Sequence, residues 1–316
     1  MSARPPRAPP RFAALHGRGG SPVDLYAGDA LAILPRVARR STIDCLVTSP
    51  PYNRGVAYAS YDDTRPRTEY LAWIDRWARG VAPLLAPEGS LFLNVGGSPT
   101  DPWLPWDVAR VVGRRLVLQN VILWVKSIAI ERAAAGRSAG LNRDLAVGHY
   151  KPIPSRRFLH AAHEYIFHFT HDGRRPLDRL AIGVPYQDAS NVARWAGARG
   201  GVRCRGNTWF LPYRTIRSAA RDRPHPASFP VELPERCFRL HGVDRIRLAV
   251  DPFLGIGPTA VAAARLGLPF IGIDLDRSYL AEAARAVGAA TDERADPVAA
   301  ATRGPPARRA RAPRVK

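Results

Sequence analysis

Cysteine is nearly absent from the 316 residues: Cys45, Cys204 and Cys237 are the only three. They are odd in number, far apart and form no CxxC, which excludes a disulfide framework and a cysteine-based metal centre. Long apolar runs are also missing. None approaches the roughly 20 residues that span a bilayer, and MSARPPRAPPR has no apolar core of a signal peptide. A cytoplasmic protein without a membrane partner is the expectation. Four histidines crowd into a short stretch, at 160, 163, 168 and 171. HEYIFHF (163–169) alternates as a strand, however, so His163 and His168 point to opposite faces, and no metal site is expected there.

Lysine is scarce too, at three of 47 basic residues (Lys126, Lys151 and Lys316). With the abundant Ala, Gly and Pro, this arginine excess partly reflects GC-rich codon usage. Codon usage would spread arginine evenly, yet the net charge of +20 is uneven. Residues 126–223 carry +11, against +1 for 21–125 and −2 for 224–298. The basic block marks a polyanion-binding surface, with a merely solvated basic face as the alternative. Residues 1–20 and 299–316 contain no acid and carry +4 and +6. Their Pro/Arg/Ala composition predicts disordered tails.

No internal repeat is visible, and strand and helix patterns alternate between the tails. Strands are predicted at 23–26, 43–47, 90–95, 117–125, 246–250 and 270–274, and helices at 30–39, 70–85, 107–115 and 259–266. In the second helix, Leu71, Ile74, Trp77, Val81 and Leu84 share a stripe. This rhythm predicts a mostly parallel α/β sheet. It breaks between 126 and 223, apart from the HEYIFHF strand.

Two stretches carry chemistry. TSPPYN (48–53) follows the apolar run IDCLV. Pro50 and Pro51 cannot continue a ladder, so a rigid corner holds Ser49 and Tyr52 just past the strand's C-terminal end, where open α/β sheets bind ligands. DPFLGIGPTA (251–260) follows a strand and opens a helix. Gly255 and Gly257 permit a tight turn and close ligand approach, and Asp274, about 20 residues on, stands where an acid binds ribose hydroxyls. Each stretch alone could be a turn that only packs a helix.

Together they resemble the amino-methylating DNA methyltransferases, which pair an (S/D)PPY corner with an F-x-G-x-G cofactor turn. HPASFPVELPERCF (225–238), HEYIFHFT, GNTWF (206–210) and Gly28-Asp29 are also similar to family segments. The resemblance spans about residues 25–280. With the catalytic motif first, then a basic segment, then the cofactor motif, it implies the circularly permuted β-type arrangement. The implied architecture is a Rossmann-like S-adenosylmethionine-dependent methyltransferase sheet with an inserted basic recognition region. It divides as a basic tail (1–20), a catalytic half (21–169), a target-recognition region (170–223), a cofactor-binding half (224–290) and a second tail (291–316). Pro258, where the family more often has Ser or Thr, and Asp274, in place of the commoner Glu, depart from the pattern. Pro suits a helix's first turn, and either acid accepts from ribose.

The resemblance implies S-adenosylmethionine as cofactor, held by Asp29 (at the adenine), Thr48, Phe229 (near the methionine), Asp251, Pro252, Phe253, Gly255, Gly257, Thr259 and Asp274. Ser49, Pro50, Pro51 and Tyr52 form the catalytic corner. An exocyclic amine is a poor nucleophile because its lone pair is delocalised into the ring. Ser49 Oγ and the Pro50 carbonyl are acceptors for its two N–H groups, and Tyr52 offers a stacking face to a flipped base. In the family, SPPY accompanies cytosine N4 and DPPY adenine N6, so cytosine N4 is expected and adenine N6 is the alternative. Cytosine C5 chemistry needs a cysteine after proline, and no cysteine here follows one. Arg174, Arg175, Arg194, Arg199, Arg203 and Arg205 are the candidate DNA contacts, and Trp195 and Trp209 either fill space or insert at the flipped site. Duplex DNA is the expected partner, with a restriction endonuclease acting separately and the chain a monomer or homodimer. The rival classes are an RNA or protein methyltransferase and a non-enzymatic DNA-coating protein.

Overall fold

The computed structural model describes residues 8–56, 58, 60–136, 140–148, 155–186, 192, 201–212 and 228–292. Arg194, Trp195, Arg199 and the HPA triplet 225–227 lie outside the described residues, as do 1–7 and 293–316.

Among the described residues, nine strands form one sheet. In chain order they are β1 (Ala13–His16), β2 (Pro22–Ala27), β3 (Ile43–Thr48), β4 (Leu85–Val95), β5 (Val117–Val125), β8 (His163–Thr170), β11 (Thr208–Phe210), β12 (Ala249–Asp251) and β13 (Phe270–Asp274). Two small ladders stand apart, β6 (Ile128–Ile130) with β7 (Leu145–Val147), and β9 (Val184–Pro185) with β10 (Val202–Arg203). Across the main sheet the order is β1-β2-β13-β12-β3-β4-β8-β5-β11. The strands from β2 to β4 are parallel, and β8 runs antiparallel between β4 and β5. The last two strands of the chain therefore sit between two of the first, as a circular permutation requires. The IDCLV run is buried at every position because β3 is central and covered on both faces.

The helices divide by chain position. The first three are α1 (Ala30–Val37), α2 (Arg67–Val81) and α3 (Leu104–Val112), and they pack on one face of the sheet. A single turn, α4 (Arg132–Ala135), follows. Then α5 (Glu232–His241), α6 (Pro258–Leu266) and α7 (Arg277–Asp292) cover the other face. Pro105 and Pro258 sit in the first turns of α3 and α6, where a missing N–H leaves no bond unmade. Accordingly α3 begins three residues earlier than its apolar pattern predicts. Helix α5 is absent from the predicted elements because PVELPERCF carries two prolines, although Leu233, Cys237, Phe238 and Leu240 share its buried face.

Two boundaries differ from expectation. The supposed N-terminal tail includes β1, which pairs antiparallel with β2 and is braced by Arg11 Nε 3.0 Å from Asp24. Four partly exposed residues at a sheet edge show little periodicity inside an Arg/Pro-rich stretch. The recognition region is also not wholly separate. Its β11 adds a parallel strand beside β5, and Trp209 is fully buried there, its indole N–H donating to the Gly206 carbonyl. That decides for Trp209 between space-filling and insertion.

Candidate active site

The SPPY corner at the end of β3 and the glycine turn after β12 meet because those strands are neighbours. Thr48, the last residue of β3, donates its hydroxyl to Asp251 Oδ1 at 2.6 Å. The other Asp251 oxygen accepts the Thr259 hydroxyl at 2.7 Å, and Oδ1 also accepts the Phe253 N–H. Burial pushes the Asp251 carboxyl up to about 6, despite these donors. On the other side of the corner, the Tyr70 hydroxyl donates to the Pro51 carbonyl at 2.8 Å. The corner is therefore held from both the sheet and α2.

Between the two turns lies a cavity of about 180 Å³. Ser49, Pro50, Pro51 and Tyr52 line it, facing Asp29, Phe229, Pro252, Phe253, Gly255 and Asp274. The Phe253 ring lies 5.5 Å from Trp73 and 5.7 Å from Trp77. Gly255 has φ 55°, a left-handed position, and its N–H donates to Asp274 Oδ2 at 2.7 Å. Asp274 Oδ1 accepts from the Asp276 N–H. Backbone donors thus fix both Asp274 oxygens at the cavity wall, while burial raises the carboxyl above its ordinary range. Asp29 caps α1, accepting from the Leu31 N–H at 2.9 Å. Three acids (Asp29, Asp274, Asp276) among aromatic walls fit a cationic, ribose-bearing molecule.

Four expected cofactor residues do not line the cavity. Thr48, Asp251 and Thr259 form the fully buried polar cluster behind its wall. Gly257, at φ 85°, faces α7, where a Cβ would come within 2.6 Å of Ala283 Cβ. Its small size serves helix packing. Among the DNA-contact candidates, Arg174 and Arg203 are exposed and Arg205 is partly so, its Nε donating to the Ile182 carbonyl. Arg175 is a correction. Its side chain is buried and ion-paired with Glu88, so it braces the sheet instead of reaching a phosphate. His163 is exposed and His168 buried, as strand alternation predicts, and among the described residues no group of His, Cys, Asp or Glu is placed to hold a metal.

Sequence reasoning missed two parts of the site. The first is a polar network under the corner. Ser49 Oγ lies 2.6 Å from Tyr52 Oη, Tyr52 donates to Glu164 Oε2 at 3.0 Å, and Asn94 Nδ2 donates to both Tyr52 Oη and Glu164 Oε2 at 2.7 Å. Lys126 pairs with the other Glu164 oxygen. Burial would raise Glu164, but the Lys126 ammonium and the Asn94 and Tyr52 donors hold it below the usual carboxylate range. A lone acid in an apolar strand, and one of only three lysines in an arginine-rich chain, were the available signals. The second missed part is the loop 53–66. Asp63 accepts N–H bonds from Asn53, Arg54 and Val56, and Ser60 donates to Asp276 Oδ2 at 2.9 Å. Tyr58, Ser60, Tyr61 and Arg65 of this loop line the cavity.

Two ligand-facing turns converge on one cavity at the carboxyl edge of the sheet, where Rossmann-like doubly wound folds bind their ligands. The family model for N6/N4 DNA methylases matches residues 43–285, and the chain belongs to that family. The type II methyltransferase M.BglII of Bacillus subtilis is 28% identical over 284 residues, covering 85% of this chain and 70% of that protein. The cytosine-N4-specific PvuII DNA methyltransferase superposes with a TM-score of 0.60 at 17% identity, over 93% of this chain and 92% of that one. A putative DNA modification methylase of Thermus thermophilus, solved complexed with S-adenosyl-L-methionine, gives a TM-score of 0.52 at 23% identity, over 88% and 96%.

Proposed function

We propose that this DNA methyltransferase uses S-adenosylmethionine to methylate the exocyclic N4 amine of a cytosine flipped out of duplex DNA. The observation that carries the reading is the Ser49 hydroxyl at the cavity wall, in an SPPY corner facing a turn suited to a ribose-bearing cation. The cofactor supplies a methyl group activated by a positively charged sulfur. Asp274 takes its ribose hydroxyls, Gly255 lets backbone approach, and Asp29, Phe229 and Phe253 enclose the rest. Ser49 Oγ and the Pro50 carbonyl accept the amine's N–H groups, which turns the nitrogen's lone pair towards the methyl group. Methyl transfer to the nitrogen would leave the sulfur as a neutral thioether, and the surplus proton on the amine would pass to water. The Tyr52 ring stacks on the base, a contribution of about 1–3 kcal/mol. Arg174, Arg203 and Arg205, with Arg194 and Arg199 outside the described residues, bind the backbone and read base edges. The cytosine-N4 specificity of the PvuII enzyme, similar over nearly the whole fold, supports Ser49 as a cytosine-type acceptor. The type II methyltransferase relatives of this chain favour pairing with a separately acting endonuclease.

Nucleoside mass spectrometry of duplex DNA incubated with protein and S-adenosylmethionine tests this, with Ser49→Ala as control. N4-methylcytosine, absent in the control, is expected. N6-methyladenine would sink the cytosine assignment and keep the corner's role.

A further inference from the structure

Ser49 can act as an acceptor only if its own proton points away from the target amine, and a hydroxyl rotates freely unless something sets it. The network beneath the corner sets it. Tyr52 has one proton, and Ser49 Oγ at 2.6 Å and Glu164 Oε2 at 3.0 Å compete for it. A carboxylate is the stronger acceptor. If Tyr52 donated to Ser49 instead, its lone pairs would face the Glu164 carboxylate. Asn94 reinforces the choice: its Nδ2 donates to both Tyr52 Oη and Glu164 Oε2, so Tyr52 Oη is already an acceptor. The reverse amide orientation would set Oδ1 against the carboxylate. With its proton on Glu164, Tyr52 can only accept from Ser49.

We infer that Glu164, anchored by Lys126, is a positioning residue that directs the Ser49 proton onto Tyr52, so that Ser49 shows only lone pairs to the base. This rests on the reading of Ser49 as the amine's acceptor. The fold makes room for this carboxylate. Gly96 lies against it, and a Cβ there would come within 2.8 Å of Glu164 Cδ. Lys126 also decides what Glu164 does not do. An ion-paired carboxylate held below its usual range stays ionised, so it takes hydrogen bonds and does not take the proton that the amine releases. The consequence is a site that favours a base offering N–H over one offering a carbonyl at the same position.

The test compares binding of two duplexes at the site that the wild type methylates. One keeps the target base; the other replaces its amine by a carbonyl, uracil for cytosine or hypoxanthine for adenine. The comparison therefore remains valid if the methylated base is adenine. In Tyr52→Phe, which keeps the ring, the Ser49 hydroxyl is free to turn and donate. The preference for the amine-bearing duplex is expected to fall about tenfold, the worth of one hydrogen bond. Single-turnover methyl transfer should slow about 10- to 100-fold, as when a ligand's orienting partner is removed elsewhere. The melting shift induced by S-adenosylmethionine should stay at the wild-type value. Glu164→Gln should give the same compressed preference, and if it fails to fold, Tyr52→Phe decides alone. An unchanged preference in Tyr52→Phe, whatever its rate, would overturn the inference, because a merely structural role predicts that result.

Discussion

Asp251 joins three points of the chain that are far apart in sequence, Thr48, Thr259 and the Phe253 N–H. Removing its carboxylate leaves three buried donors unpaired, each penalised by about 1–3 kcal/mol. Asp251→Ala is therefore expected to destabilise by about 3 kcal/mol or more in urea unfolding and to weaken S-adenosylmethionine binding through the loosened turn. Thr48→Val should cost only about 1 kcal/mol, since Asp251 keeps two donors. Gly257→Ala meets both a left-handed φ and Ala283. A loss of about 1–3 kcal/mol should appear as a lower melting temperature. At this scale the sequence showed which residue types mattered but not which way they face. Ser49, Tyr52 and Asp274 line the cavity as their motifs imply. Thr48 and Asp251 share those motifs but end their strands on inward-facing positions, because strand alternation sends neighbouring side chains to opposite sides, and Thr259 meets Asp251 from the first turn of α6.

Loop 53–66 is the element that joins the two halves of the site, and nothing in its composition marks it. Asp63 is buried and gathers three N–H groups, and Asn53 is held at φ 57° by its own side chain, which bonds Arg65 in both directions. Asp63→Ala should release the loop. The expected readouts are faster limited proteolysis within 54–62 and a raised KM for S-adenosylmethionine, with kcat reduced less. Strand β8 was legible as a strand from HEYIFHF. Its place between β4 and β5 was not, and that place carries Glu164 under the corner.

The whole molecule should be acid-sensitive. His168 Nε2 and His241 Nδ1 both lie 3.0 Å from the Ser90 hydroxyl, and Asn120 approaches His168 Nδ1 at 3.0 Å. Burial lowers His168 to about 3, helped by His241 and Arg175, and lowers His241 to about 4, helped by Arg175 against the opposing Asp44. Both are neutral in the fold, so the unfolded chain binds more protons between about pH 4 and 6.5. Stability is then full above about 6.5 and is lost as pH falls through that window. Asp251, raised to about 6, has the opposite sign there: its protonated form is favoured by folding, which offsets part of the loss. With two histidines against one carboxyl, the urea midpoint should fall between about pH 7 and about pH 4.5, and a His168→Gln variant should show a shallower decline.

The sequence by itself determined the alternation of elements, the two motifs, their permuted order and the concentration of positive charge. Each is a local pattern: apolar periodicity, proline and glycine punctuation, residue type at fixed spacing. Tertiary structure decided what depends on contacts between distant positions. It placed β12 beside β3 and brought Glu164, Lys126 and Asn94 beneath Ser49. It also buried Arg175 against Glu88 and turned Gly257 from the cavity towards α7. Hydrogen-bond direction and burial are set by which strands pair and which faces are covered, and one strand's pattern does not specify its neighbours.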